Sequence, residues 1–197
     1  MTTRSSSSRA YGDPMSAPFS RDLYMRAWHF AAARHNGQKV PGSELPYITH
    51  VGAVAMEVLA TIALDDVVSP DLAVACALLH DTVEDTETTT DEIATAFGVA
   101  VADGVRALSK DKAIPKAEQM ADSLRRIQEQ PREIWIVKLA DRAVNMEPAP
   151  AQWSMDKRRT YQKQAVTILE QLGSASPSLA ARLREKIARY EACISGP

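Results

Sequence analysis

Apolar residues recur at helical spacing along most of the chain, and no segment shows the strict alternation of a half-buried strand. The spacing predicts a first helix over Ser20–Arg34 and a second over Tyr47–Leu64, joined by a Gly- and Pro-containing loop at 36–46. The Ser69-Pro70 pair is typical of a helix start. The helix after it should be buried, because residues 72–79 are all apolar, and it should reach the histidine that follows them.

The rest of the chain continues the helical pattern. Six further helices are predicted, at Thr90–Phe97, Val99–Leu108, Pro115–Gln130, Pro131–Met146, Asp156–Leu172 and Pro177–Cys193. Gly98 stands where a helix stops. Residues 1–17 are polar and Ser-rich, and we expect a disordered leader there. The sequence thus predicts an all-α fold, one compact domain of about nine helices over 18–197.

Composition narrows the functional classes. The 197 residues are 45% apolar, enough for one sizeable core, and the formal net charge is -2. This charge argues against nucleic acid as a partner, and no apolar stretch approaches the roughly 18 residues that cross a bilayer. Cys76 and Cys193 are too few for a disulfide framework, so we expect free thiols and a cytoplasmic protein without a membrane partner. The sequence leaves a homodimer open.

The segment His80-Asp-Thr-Val-Glu-Asp85 carries the strongest chemical signal. If the apolar helix before it continues, spacings of three and four bring one imidazole and three carboxylates to one place. Clustered carboxylates repel each other, and burying them without a partner is costly. A bound divalent cation would relieve both problems. The alternative is a solvated helix end with acidic turn residues.

A second signal lies in the apolar helix predicted at 131–146. Lys138, Asp141 and Asn145 share one face of it, with Arg142 beside them. Asp141 could be an ordinary partner of Lys138, but a carboxylate in so apolar a helix needs a stronger reason.

A third signal is His50, which opens an apolar helix after Pro46-Tyr-Ile-Thr. Its ring should point inward, although a single such histidine is more often a core residue than a ligand. We see no metal role for His29 or His35.

Together these segments resemble a known family. The order His50, His80-Asp81, Asp141 is similar to the H…HD…D pattern of HD-domain phosphohydrolases. The match is closest to the hydrolase domain of RelA/SpoT-type alarmone enzymes and their small stand-alone relatives. It rests on the segments PYITH, ALLHDTVEDT, FG at 97–98 and VKLADRAVN, with His35-Asn-Gly-Gln38 at the start.

The resemblance implies a fold, a metal and a reaction. His50, His80, Asp81 and Asp141 would bind one divalent metal ion, in this family usually Mn²⁺. The family reaction removes pyrophosphate from the 3′ position of guanosine tetra- or pentaphosphate, so the implied partner is a small-molecule nucleotide.

The resemblance also implies roles for further residues. Glu84 and Asp85 match the pair that orients or deprotonates the attacking water, and Asn145 matches a residue that contacts the nucleotide sugar. Lys138 and Arg142 would be phosphate or structural partners. In the segment 110–116, Lys112 or Lys116 could approach the substrate phosphates, although a solvated loop explains these lysines equally well.

One position departs from the family pattern. Relatives that hydrolyse the alarmone usually carry an Arg-Lys pair in the loop before Pro46-Tyr47, where it packs against the guanine and its phosphates. This chain has Val40-Pro41 there, with Lys39 as the nearby cation. Valine and proline offer apolar contact to a base but no charge.

Three functional hypotheses follow from the sequence. The first is a metal-dependent hydrolase of the alarmone. The second keeps the same chemistry with another nucleotide that carries a 3′-phosphate or pyrophosphate. The third is a non-catalytic nucleotide sensor, against which Glu84 and Asp85 argue, because a pure binder needs no water-activating pair.

Overall fold

A computed structural model of the chain describes residues 18–147, 149 and 153–195, with the side chains of residues 192, 193 and 195 left out. The leader predicted at 1–17 lies outside the described residues, as do Pro148 and Pro150. Within the described part the fold is all-α, as predicted, with nine α-helices of eight residues or more, one single α-helical turn and one 3-10 turn at Gly173–Ala175. The α-helices are α1 Arg21–Arg34, α2 Ile48–Leu64, α3 Pro70–Leu79, α4 Thr82–Asp85, α5 Thr90–Phe97, α6 Val99–Leu108, α7 Gln119–Gln128, α8 Arg132–Asn145, α9 Met155–Leu172 and α10 Pro177–Ser195.

Local capping explains several boundaries. The Ser20 hydroxyl accepts a hydrogen bond from the Leu23 amide and starts α1. Thr89 and Glu92 form a reciprocal capping box at the start of α5. Gly98 then ends α5 with a φ of 93°, a conformation that glycine adopts without strain.

Helix α3 is the centre of the fold. Every residue from Ala73 to Leu79 is buried, and the helix packs against α1, α2, α6 and α8. The helices α9 and α10 pack on each other and on α8. Cys76 of α3 is buried with a free thiol, whereas the Cys193 side chain lies outside the described part. None of the described helices combines the length and hydropathy needed to cross a membrane.

The buried helix predicted to reach His80 does not continue through the acidic motif. α3 ends at Leu79, and the single turn α4 begins at Thr82. The Thr82 hydroxyl donates to the Leu79 carbonyl at 2.7 Å, a local bond that competes with continued helix. His80 and Asp81 therefore lie in the break, where both side chains can turn toward the same point.

The helix predicted at Pro115–Gln130 is shorter in the structure. Residues 115–118 form a turn in which the Glu118 amide donates to the Pro115 carbonyl at 2.8 Å, and α7 starts at Gln119. The Gln119 side-chain amide donates to the Ile114 carbonyl at 3.2 Å, so this carbonyl finds its partner outside a regular helical ladder. The outcome is a longer loop over 109–118 between α6 and α7.

Candidate active site

Three helices bring the predicted metal ligands together. His50 lies in the first turn of α2, His80 and Asp81 follow α3, and Asp141 lies in α8. Ligand atoms of His50, His80 and Asp141 are all within 4.8 Å of one another. Asp81 completes the group, because its Oδ2 is 2.8 Å from His80 Nε2 and 3.6 Å from His50 Nε2.

The imidazole of His80 is oriented by the backbone. Its Nδ1 is 2.8 Å from the Ala77 carbonyl oxygen, which is an acceptor, so Nδ1 carries the hydrogen. Its Nε2 faces the carboxylates and the Nε2 of His50, 3.4 Å away. Burial would lower the pKa of His80, but the charges of Asp81 and Asp141 and the hydrogen bonds raise it to about 9. Without a metal, the imidazole is therefore held as a cation between two carboxylates.

Asp141 is held by its own helix. Its Oδ2 accepts from Lys138 Nζ at 3.0 Å, and its Oδ1 accepts from Asn145 Nδ2 at 2.6 Å. Burial alone would raise the pKa of Asp141, but Lys138, followed by His80, outweighs it and lowers the pKa to about 2. The shared helix face predicted from the sequence is thus present. On that face, Asp141 forms the ordinary ion pair with Lys138 and also lies close to His50 and His80.

Tyr47 links the metal-ligand cluster to the acidic pair, a role that the sequence analysis missed. Its hydroxyl donates to Asp81 Oδ2 at 2.5 Å and lies 3.4 Å from Asp85 Oδ2. Burial, with the neighbouring Asp81 charge, raises the pKa of the Tyr47 phenol, so the hydroxyl remains a donor. Its position three residues before His50 is the one signal that could have identified it.

Glu84 and Asp85 have different surroundings. Glu84 accepts from both the backbone amide and the Nζ of Lys110, at 2.8 and 2.7 Å, and its own carbonyl accepts from Lys112 Nζ at 2.6 Å. Burial, followed by the charges of Asp81 and Glu84, raises the pKa of Asp85. The loop lysine that contacts the acidic pair's side chains is thus Lys110, which the sequence analysis had not singled out.

A cavity of about 350 Å³ opens beside these residues. Lys110, Lys116, Lys138 and Arg142 supply positive charge to its lining, which also includes the following groups: Tyr47, His80, Asp81, Glu84, Asp85, Asp141 and Asn145. Arg142 is 6% exposed and its guanidinium lies 4.4 Å from the Tyr161 ring centroid. Its Nε and Nη1 have no hydrogen-bond partner among the described residues. The four cations of the lining can pair with a polyanionic ligand, while its four carboxylates suit a metal ion.

A second cavity of about 630 Å³ lies on the other side of Asn145 and Tyr161, which line both. Val40 and Pro41 form part of its wall, together with aromatic and apolar groups: Leu45, Val144, Ala149, Trp153 and Tyr190. Lys39 lines neither cavity and instead forms an exposed ion pair with Glu44. The structure therefore brings Asn145 and Arg142 to the site but leaves Lys39 outside it.

Comparisons with known proteins agree with this arrangement. Residues 27–181 match the HD domain family. The chain is 32% identical over 171 residues to the guanosine-3′,5′-bis(diphosphate) 3′-pyrophosphohydrolase MESH1 of Danio rerio. The matched region covers 84% of this chain and 93% of that relative. The chain is also 39% identical over 140 residues to the guanosine-3′,5′-bis(diphosphate) 3′-pyrophosphohydrolase of Haemophilus influenzae, 68% of this chain and 20% of that longer protein. A solved structure of a metazoan ortholog of SpoT that hydrolyses ppGpp superposes with a TM-score of 0.75 at 24% identity, covering 92% of this chain and 98% of the other.

Proposed function

Because the chain belongs to the HD-domain family, together with the MESH1-type pyrophosphohydrolases, we propose that it hydrolyses the 3′-pyrophosphate of guanosine tetra- or pentaphosphate. The observation that carries the proposal is the buried group His50, His80 and Asp141, with Asp81 beside it, at the edge of a cavity whose lining includes three lysines and Arg142. A metal site next to such a cavity suits phosphoryl chemistry.

The donor set fits a divalent cation. Two imidazole nitrogens and two carboxylates converge, and the Ala77 carbonyl fixes the tautomer that leaves His80 Nε2 free to ligate. We propose His50, His80, Asp81 and Asp141 as the ligands, and Mn²⁺ as the ion, because mixed nitrogen and oxygen donors suit it. When bound, the ion lowers the pKa of water and polarises a phosphoryl oxygen.

The protein's own residues then provide the proton transfer and the orientation. A carboxylate of the Glu84–Asp85 pair takes a proton from water as the water oxygen bonds to the phosphorus of the 3′-pyrophosphate. The bond from that phosphorus to the ribose 3′ oxygen breaks, and a proton ends on the 3′ oxygen. The products are pyrophosphate and the 5′-di- or triphosphate of guanosine. Tyr47 holds Asp81 and lies next to Asp85, which keeps the ligand and the base in one geometry.

The remaining predicted residues orient the substrate. The free guanidinium edge of Arg142 is a proposed phosphate partner, as is Lys112, whose Nζ donates to the Glu84 carbonyl, while Lys138 holds Asp141. Asn145 lies between the two cavities, where a ribose would join phosphates on one side to a base on the other. The base would then contact the apolar wall that contains Val40 and Pro41.

The wall of the larger cavity favours one alternative class of substrate. Since the described lining of the larger cavity includes no lysine or arginine, the base side has no cation of the kind that relatives use. A different nucleotide with a 3′-phosphate or 3′-pyrophosphate would use the same metal site and the same base.

The decisive experiment measures phosphate and pyrophosphate release by the Mn²⁺-loaded protein, with guanosine tetraphosphate beside a panel of other nucleotides. We expect rapid pyrophosphate release from the tetraphosphate that a chelator abolishes and added Mn²⁺ restores. The Asp85→Asn variant is the matched control, since it should bind nucleotide without turning it over. Release from another nucleotide alone would show that this nucleotide, and not the tetraphosphate, is the substrate. Nucleotide binding without any release would favour the hypothesis of a non-catalytic nucleotide sensor.

We also propose a cytoplasmic location, which the buried free thiol of Cys76 supports. The homodimer stays a prediction that sedimentation of the purified protein would check.

A further inference from the structure

Lys110 lies at the end of α6, 26 residues along the chain from Glu84, yet it makes a two-point contact with it. The Lys110 backbone amide donates to Glu84 Oε2 at 2.8 Å, and its Nζ donates to Oε1 at 2.7 Å. The Glu84 side chain is only 14% exposed, so this pair is more strongly shielded than a surface ion pair. Both oxygens of Glu84 are therefore already used as acceptors.

Asp85 has no comparable contact. Within the described part of the chain, its carboxylate approaches the Tyr47 hydroxyl at 3.4 Å, but this hydroxyl donates its one hydrogen to Asp81 Oδ2 at 2.5 Å. The lone pairs of Asp85 remain available to a water molecule in the cavity that it lines. Burial, followed by the charges of Asp81 and Glu84, raises the pKa of Asp85, which suits a proton acceptor.

The backbone that presents Lys110 is itself anchored from α7. The Arg126 guanidinium donates to the carbonyls of Arg106, Ala107 and Ser109, at 2.6, 3.1 and 2.8 Å. These are the free carbonyls at the C-terminal end of α6, which a cation satisfies well. The amide of Lys110 thus occupies a fixed position from which it can hold Glu84.

We propose that Lys110 and Glu84 form a clamp that positions the cavity's acidic turn, and that Asp85 alone takes the proton from the attacking water. The inference rests on the proposed hydrolase function and assigns different roles to the two residues of the acidic pair. Glu84 and Lys110 are positioning residues, and Asp85 is the catalytic residue. The proton moves from water to the Asp85 carboxylate as the new phosphorus–oxygen bond forms and the bond to the 3′ oxygen breaks.

The test compares Glu84→Gln, Asp85→Asn, Lys110→Met and the double variant of Glu84 and Lys110, using kcat and KM for guanosine tetraphosphate with Mn²⁺. Asp85→Asn should lower kcat by about 10²-fold or more with little change in KM. Glu84→Gln and Lys110→Met should each lower kcat/KM about 10-fold, and the double variant should be no worse than either single one, because all three break one contact. Lys110→Arg should recover most of the activity. Arg106→Gln removes a 66%-exposed charge from the same helix and is the matched control.

The opposite result is equally clear. If Glu84→Gln lost as much kcat as Asp85→Asn while Lys110→Met kept wild-type kinetics, Glu84 would be the base and the clamp would be wrong. A double variant whose losses multiply would also overturn it.

A second readout needs no substrate. Hydrogen exchange of the Lys110 amide should accelerate about 10-fold in Glu84→Ala, which removes the acceptor, and remain unchanged in Asp85→Asn, because only Glu84 accepts from it. Unchanged exchange in Glu84→Ala would overturn the clamp even in an active enzyme. If Glu84→Ala shows the faster exchange but the wild-type protein shows no hydrolysis, the proposed function and the catalytic role of Asp85 would be refuted, while the clamp itself would stand.

Discussion

Arg142 offers a test in which stability and activity should change in opposite directions. It is 6% exposed, and its Nε and Nη1 have no hydrogen-bond partner among the described residues. Its guanidinium lies over the Tyr161 ring, 4.4 Å from the centroid. A buried cation with unsatisfied donors costs stability unless a ligand satisfies them. We therefore expect that Arg142 is kept for the substrate rather than for the fold.

The structure sets the expected magnitudes for Arg142→Met. Each unsatisfied buried donor costs about 1–3 kcal/mol, and loss of the cation–π contact with Tyr161 costs about 0.5–2 kcal/mol. With two such donors, removing the guanidinium should thus raise the free energy of unfolding by up to about 5 kcal/mol, and at the least leave it unchanged. Two charge-assisted bonds to a phosphate contribute about 1.5–3 kcal/mol each, so kcat/KM should fall by about 10²-fold or more.

The assay pairs urea unfolding of the substrate-free protein with steady-state kinetics on guanosine tetraphosphate. Arg142→Lys is the control, because it keeps the charge but not the planar two-donor edge, and it should recover part of the lost activity. An Arg142→Met protein that unfolds several kcal/mol more easily and retains kcat/KM would show that the residue is structural and refute the reasoning.

Three further predictions concern the metal site and the core. Asp81→Ala should lose both bound metal and activity, and elemental analysis that finds full metal occupancy would disprove its ligand role. Because the metal-free pKa of His80 is about 9, metal uptake at pH 7–8 should release close to one proton. Metal affinity should accordingly rise with pH until that pKa is passed. Calorimetry in buffers of different ionisation enthalpy measures both the proton release and the affinity. Gly104→Ala would place a methyl group 2.5 Å from Ile134 Cδ1 and 2.8 Å from Cys76 Sγ. It should therefore lower the free energy of unfolding by about 1–3 kcal/mol in a denaturant titration, and adding Ile134→Val should restore part of it.

Helix positions were predictable where the residue type marks the boundary. Pro70 begins α3 as predicted, although the Ser69 side chain makes no capping bond, and Gly98 adopts the positive φ that ends α5. The break at His80 was not predictable from periodicity, since it depends on a hydroxyl bond from Thr82 to a main-chain carbonyl. Apolar spacing carries no information about such a bond.

The same distinction applies to the site. Asp141 could be singled out because a carboxylate in an apolar helix violates the local pattern, and its neighbours Lys138 and Asn145 follow from helical spacing. Lys110 violates no local pattern, because a lysine in a polar loop is unremarkable. Its contact with Glu84 exists only because α6 packs beside α4, and spacing rules describe neighbours within one helix, not between two.

In the loop before Tyr47, the neighbouring residues Lys39 and Val40 face different surroundings. The Val40 amide donates to the Leu45 carbonyl at 2.9 Å, and Lys39 pairs with Pro46 in an isolated bridge, so this part of the loop is locally extended. Successive side chains of extended backbone point to opposite sides. Val40 accordingly lines the larger cavity, while Lys39 turns outward to Glu44. The cation at 39 therefore does not replace a basic pair at 40–41, and the larger cavity offers a ligand apolar contact and the polar groups of Thr49, Asn145 and Glu147 instead of a lysine or arginine.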